Sequence, residues 1–183
     1  MLKEKFVILG VAFDWEERKG LDVFIELANR LNDDYQIVLV GTDDDVDKKL
    51  PDSIISIHRT QDRRELAEIY SMADLFLNTT REDNYPTVNI EALACGTPVL
   101  TFFTGGSPEI IDNSCGQVVI SNGVEETIEK IILIRNERPY SSQNCIIHAS
   151  RLDKTIKFHE YIELYKQVFK EGVQDDKSSV HWY

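Results

Sequence analysis

This sequence predicts an α/β fold, a doubly wound parallel sheet of the Rossmann-like kind, from three observations. Short β-rich apolar runs alternate with amphipathic segments of helical period along about 130 residues. The runs are nearly continuous in apolar residues, as expected of strands covered on both faces. Glycine closes the first two runs, at Gly10 and Gly41, where a chain leaving a strand has to turn.

The elements follow in order. "FVILGV" (6–11) is the first strand, and "GLDVFIELANRL" (20–31) places Leu21, Phe24, Ile25, Leu27, Ala28 and Leu31 at helical spacing. "YQIVLVG" and "SIISIH" are the second and third strands. Asp62 is placed to cap "RRELAEIYSMA". "DLFLNT" (74–79) is a strand, and "PTVNIEALA" opens a helix with Pro86 in its first turn, ended at Gly96. "TPVLTFF" and "GQVVI" are further strands, followed by amphipathic "VEETIEKIILIRN". The remainder reads as one or two helices, with a stripe of Ile156, Phe158, Tyr161, Ile162, Tyr165 and Phe169, before a frayed tail whose terminal aromatics are free to dock elsewhere.

At 183 residues, with 42% apolar content, the chain is long enough for one domain with its own core. Its longest apolar runs fall far short of the roughly 20 residues that span a bilayer. No signal peptide is read at the start, so a cytoplasmic location and no direct membrane insertion are expected. Thirty-two acids against 20 bases give a net charge of −12, which argues against nucleic acid as a partner. A small anionic ligand needs only a local pocket of amides and a cation or two. Three scattered cysteines and four scattered histidines match no disulfide framework and no zinc spacing. "DDDVD" (43–47) lacks the glycine and closing glutamate of a calcium loop and reads as a solvated loop. No metal and no cofactor are expected.

In a doubly wound sheet, ligands sit beyond the carboxyl ends of the strands. "TTREDNYPT" (79–87) lies there. Pro86 suits a helix start, and the amides after it are free to meet an anion. Glu82, Asp83 and Glu91 would repel phosphate but accept hydrogen bonds from a vicinal diol. The combination reads as a nucleotide-sugar site, while the residues alone leave a second reading equally open: acids favoured by the helix dipole and a solvated face. Arg18 and Lys19, in the loop after the first strand, are either a diphosphate clamp or a surface basic pair balanced by Glu16 and Glu17. Gly105 and Gly106 either close on a ligand or only turn the chain.

The "RKG" loop, "ADLFLNTTREDNYPTVNIEALACGTPVLTFFTGGSPEII" and "GQVV" together resemble the nucleotide-sugar half of retaining GT-B glycosyltransferases of group 1, from about residue 6 to residue 135. The resemblance implies a UDP- or GDP-sugar donor and transfer to a hydroxyl with retention, in bacterial capsule, lipopolysaccharide or exopolysaccharide synthesis. The family pattern is glutamate, seven residues, glutamate. Here it falls on Asp83 and Glu91, with Glu82 adjoining, so the sugar falls to Asp83 or Glu82 and the ribose to Glu91. Lys19 matches the diphosphate lysine. Asn84, Tyr85 and Thr87 would face sugar and phosphate through their amides, and Arg59 and Thr60 would flank the base. Gly105 and Gly106 complete the donor set. Where the family has arginine after the first-strand glycine this sequence has Val11, and Arg18 is the candidate replacement. By the same resemblance, residues 1–150 are the donor domain, 151–172 a helix packing back towards a missing N-terminal acceptor domain, and 173–183 a tail. The fragment is then expected to bind donor without transferring sugar alone, and the full-length enzyme to sit in the cytoplasm or peripherally at the inner membrane. A non-catalytic binding domain and a nucleotide-sugar epimerase of the same fold are the competing readings.

Overall fold

Leu75, Phe76 and Leu77 are each no more than 1% exposed. Consecutive strand residues point to opposite faces, so the strand that holds them, β4 (Leu75–Asn78), is covered on both. The same holds for Ile8 and Leu9 in β1 (Phe6–Val11) and for Ile37 to Val40 in β2 (Tyr35–Val40). With β3 (Ile54–Ile57), β5 (Val99–Phe102) and β6 (Gly116–Val119), they make a six-stranded sheet in the order β3-β2-β1-β4-β5-β6. Every pairing is parallel, in register from Phe6 opposite Tyr35 to Val11 opposite Val40 at its centre. This is the doubly wound order, and its strand sequence reverses between β1 and β4. The computed structural model describes residues 5–178.

Helices cover the two faces. Phe24 and Leu27 of α1 (Leu21–Arg30) and Ile131 and Ile134 of α5 (Val124–Glu137) pack with Ile8, Leu75, Leu77, Leu100 and Phe102. On the other face α3 (Arg63–Met72) neighbours α4 (Thr87–Ala94), and the Tyr70 ring meets Phe76 edge-on at 5.5 Å. Asp62 caps α3 as its position predicts, accepting from Arg64 N at 2.8 Å and Glu65 N at 2.9 Å.

Three local expectations are corrected. Residues 44–47 form a helical turn, α2 (Asp44–Asp47), because the Asp43 carboxylate accepts from Asp45 N and Val46 N and caps it. Pro86 takes the capping position with extended backbone (φ −69°, ψ 106°), one residue before the first helical position. The end of the chain contains two helices, α6 (Ser142–Ser150) and α7 (Lys154–Ser178). Residues 173–178 thus continue a helix instead of fraying, and the last five residues, with their aromatics, lie outside the described residues. The chain divides between Ala149 and Ser150 into two compact units. On α7 the predicted stripe from Ile156 to Phe169 is exposed. No described helix is long and apolar enough to cross a membrane.

Candidate functional site

The crevice at the reversal point has a volume of about 370 Å³. Its floor is the carboxyl ends of β1 and β4, and its walls are the loops that follow them. Of the residues singled out in the sequence, Val11, Arg18, Lys19, Asp83, Tyr85, Pro86 and Thr87 line it, and Asn84 does not. The sheet reversal leaves this gap because the loops after β1 and β4 diverge to opposite faces.

Short-range bonds tie the two loops together. Gly20 has φ 76°, and a Cβ there would lie 2.3 Å from Thr79 Oγ1. That close approach lets the Thr79 hydroxyl donate to Lys19 O at 2.9 Å. Thr80 Oγ1 donates to Glu82 O at 3.0 Å, and Arg81 N to Arg18 O at 2.7 Å. The Arg81 guanidinium grips both oxygens of Asp22, at 2.8 and 2.7 Å. These bonds set Lys19 Nζ 3.1 Å from Asp83 Oδ2, with both side chains about three-quarters buried.

Pro86 has no side-chain acceptor to offer the start of α4. The amides of Thr87 and Val88, in the first turn, therefore have no side-chain cap and front the crevice as a partial positive charge. Behind Asp83, Gly106 N donates to Asn84 O at 2.7 Å. Gly105 has φ 48°, and a Cβ on it would fall 1.9 Å from Asp83 O. The two glycines thus brace the 83–85 segment from behind, while Gly105 and Gly106 themselves stay out of the crevice wall.

Arg18 is held by its neighbours. Its Nη2 donates to Asp14 Oδ1 and Oδ2 at 2.8 and 2.7 Å, and its Nε to Glu16 at 3.2 Å. Asp14 beside the guanidinium raises its pKa further. The acids that balance it are Asp14 and Glu16, with Glu17 instead offering its carbonyl to Arg81.

Glu91 is not among the residues lining the crevice. It faces α3, where Tyr70 Oη donates to Glu91 Oε2 at 3.1 Å. Burial first, and the Glu91 charge second, push the Tyr70 phenol far up, so it stays a donor. Arg59 and Thr60 follow β3 at the sheet edge, Glu82 is exposed, and none of the three lines the crevice.

Several crevice residues escaped the sequence reading. Asn78 ends β4 and donates to Asn89 Oδ1 at 2.9 Å, which anchors α4 to the strand. Asn89 is fully buried inside an otherwise apolar helix face, and a polar residue at such a position was the available signal. Trp15 donates to Val40 O at 3.0 Å and meets Phe24 edge-on at 5.3 Å, pinning the loop after β1. Phe13 is fully exposed at the rim.

The family described as glycosyl transferases group 1 matches residues 3–137. The chain belongs to it. An N,N'-diacetylbacillosaminyl-diphospho-undecaprenol alpha-1,3-N-acetylgalactosaminyltransferase of Campylobacter jejuni is 26% identical over 175 residues, which are 92% of this chain and 46% of that enzyme. Sucrose-phosphate synthase from Thermosynechococcus elongatus has the same fold, with a TM-score of 0.73 at 24% identity over 93% of this chain and 47% of its own. Anabaena HepE, solved in complex with UDP-glucose, gives a TM-score of 0.71 at 18% identity over 88% of this chain and 49% of its own. This group 1 chain thus spans less than half of its Campylobacter relative.

Proposed function

We propose that this chain is the donor-binding domain of a retaining group 1 glycosyltransferase that takes a sugar from a UDP- or GDP-sugar and passes it to a hydroxyl acceptor. The observation that carries the reading is the crevice at the β1/β4 reversal, where Lys19, Asp83 and the uncapped first turn of α4 converge. An ammonium and free amides suit a diphosphate, and a carboxylate beside them suits sugar hydroxyls. Asp83, set inside the crevice, is the better placed of the two adjacent acids for the sugar, since Glu82 is exposed outside it. Glu91 suits the ribose hydroxyls if the nucleoside extends along α4 towards α3, with Arg59 and Thr60 beside the base.

In the proposed reaction the departing diphosphate helps remove the acceptor proton on the same face of the sugar. This chain contributes the charge that stabilises the leaving group, from Lys19 and the α4 amides, so no metal is required for that step. The acceptor is held by an N-terminal domain, and this chain alone binds donor without transferring it. The diphospho-undecaprenol substrate in the name of the Campylobacter relative supports a role in bacterial surface glycan assembly, and a place in the cytoplasm or peripherally at the inner membrane is part of the same proposal. Calorimetric titration of the chain with UDP and with GDP tests the reading. Saturable binding of at least one is expected, and binding of neither would end it.

A non-catalytic donor-binding domain is the second reading, favoured by the charge around Arg18. With Asp14 and Glu16 on its guanidinium, Arg18 does not supply a free second cation where Val11 stands. Glu91→Ala in the full-length protein separates the readings, since loss of transfer is expected only of a catalytic one.

A further inference from the structure

Asp112, Cys115 and His148 lie away from the crevice, in the turn before β6 and on α6. Each offers one ligand-type atom, and the three atoms lie within 4.8 Å of one another. The turn brings the first two together. Cys115 N and Gly116 N both donate to Asp112 O at 3.1 Å. Cys115 Sγ then comes within 3.7 Å of Asp112 Oδ1.

His148 arrives from α6 with its tautomer set. Its Nε2 is 2.8 Å from Ile110 O, and a carbonyl only accepts, so Nε2 carries the hydrogen. In the neutral ring Nδ1 is then a bare lone pair. That nitrogen is buried with no hydrogen-bond partner, although Asp112 Oδ2 stands 3.0 Å away. A neutral-ring lone pair facing a carboxylate is repulsive unless positive charge is added, either as a proton on Nδ1 or as a metal ion shared with the carboxylate. Two ligands of one cation face each other in this way.

We propose that Asp112, Cys115 and His148 form a zinc site, with solvent completing the coordination. Donor atoms around a tetrahedral zinc lie about 3.3–3.8 Å apart, given Zn–N and Zn–O near 2.0–2.1 Å and Zn–S near 2.3 Å. The 3.0 Å from His148 Nδ1 to Asp112 Oδ2 is close to that, Cys115 Sγ lies 3.7 Å from the other carboxylate oxygen, Oδ1, and the widest of the three separations, within 4.8 Å, has to shrink by about 1 Å. Thiolate and imidazole together prefer zinc to magnesium or calcium. One carboxylate and one thiolate cancel the charge of the ion, which suits a partly buried place.

The surrounding shell is already built for ligation. Ile110 O holds the imidazole by its far nitrogen, and Ser114 N and Oγ donate to Asp112 Oδ1 at 2.8 and 2.5 Å. Asp112, half-exposed, gives the ion a route in. The site staples α6 to the chain between β5 and β6. Cys115 and His148 are far apart in the chain, and only folding brings them together.

The test uses the reduced chain freed of metal, titrated with Zn²⁺ against a chromophoric chelator and separately with Co²⁺. One equivalent is expected, with a sulfur-to-cobalt charge-transfer band. Asp112→Asn and His148→Gln should each weaken binding at least tenfold, and Cys115→Ser should remove the band. Cys145→Ser, a buried neighbour outside the ligand set, should retain both. Circular dichroism of the metal-free variants confirms that they fold. Binding below one equivalent in excess zinc would overturn the proposal. So would binding that survives both Asp112→Asn and His148→Gln, or a wild-type cobalt spectrum without the sulfur band.

Discussion

Lys19 and Asp83 stand 3.1 Å apart across the mouth of the crevice, one from the loop after β1 and the other from the loop after β4. Each is the other's counter-ion before ligand arrives. Under the proposed function, a diphosphate draws the ammonium away from the carboxylate and a sugar hydroxyl satisfies the released oxygens. Lys19→Met is therefore expected to weaken UDP or GDP binding by about 1.5–3 kcal/mol, the range for hydrogen bonds to charged groups. Calorimetry on the variant reads this directly, and unchanged affinity would remove Lys19 from the diphosphate site.

Gly105 tests the brace behind Asp83. With φ 48° and a Cβ 1.9 Å from Asp83 O, alanine there forces the 83–85 segment forward. Gly105→Ala is expected to cost about 1–3 kcal/mol of stability, as for other forced backbone conformations. It should also abolish nucleotide binding, whereas Ser107→Ala should leave binding in place. Urea denaturation with titration of each variant checks the pair.

Tyr70 reports on the Glu91 assignment. The phenol donates to Glu91 Oε2 at 3.1 Å from a buried position. Tyr70→Phe should cost about 1–2 kcal/mol of stability by removing one buried hydrogen bond. If Glu91 serves the ribose, Glu91→Gln should weaken UDP binding but not that of a 2',3'-dideoxy analogue. Equal losses for both ligands would place Glu91 outside the ribose contact.

Glu126 sets an acid limit on stability. Its carboxylate accepts from Ser121 N at 2.7 Å and Ile120 N at 3.1 Å, and the bonds from Ser121 lead in lowering its pKa to about 2. A depressed carboxylate contributes stability above its unfolded pKa, near 4.5, that is lost as pH falls towards 2. Glu126→Gln is expected to be about 1–2 kcal/mol less stable at pH 7, after allowance for solvent screening. The gap should close near pH 2. Urea midpoints at the two pH values measure it, and a constant gap would contradict the linkage.

The parallel sheet, the strand limits to within a residue or two, and the position of the crevice were all legible in the chain itself. Near-continuous apolar strands bury on two faces only under helices, and parallel connections of this hand leave one reversal point. Asp62 as a cap and Gly41 as an exit follow from local chemistry that needs no distant partner, whereas Gly10, expected to close the first strand, is paired inside β1, which runs on to Val11. Tertiary structure alone decided which charges meet. Sequence spacing could not tell that Arg18 turns to Asp14, that Lys19 reaches Asp83 sixty-four residues on, that Glu91 looks at Tyr70, or that His148 faces Asp112 and Cys115. The reason is physical. Backbone periodicity is a local property summed over many residues, whereas a side-chain contact depends on the packing of helices against a sheet to within an ångström.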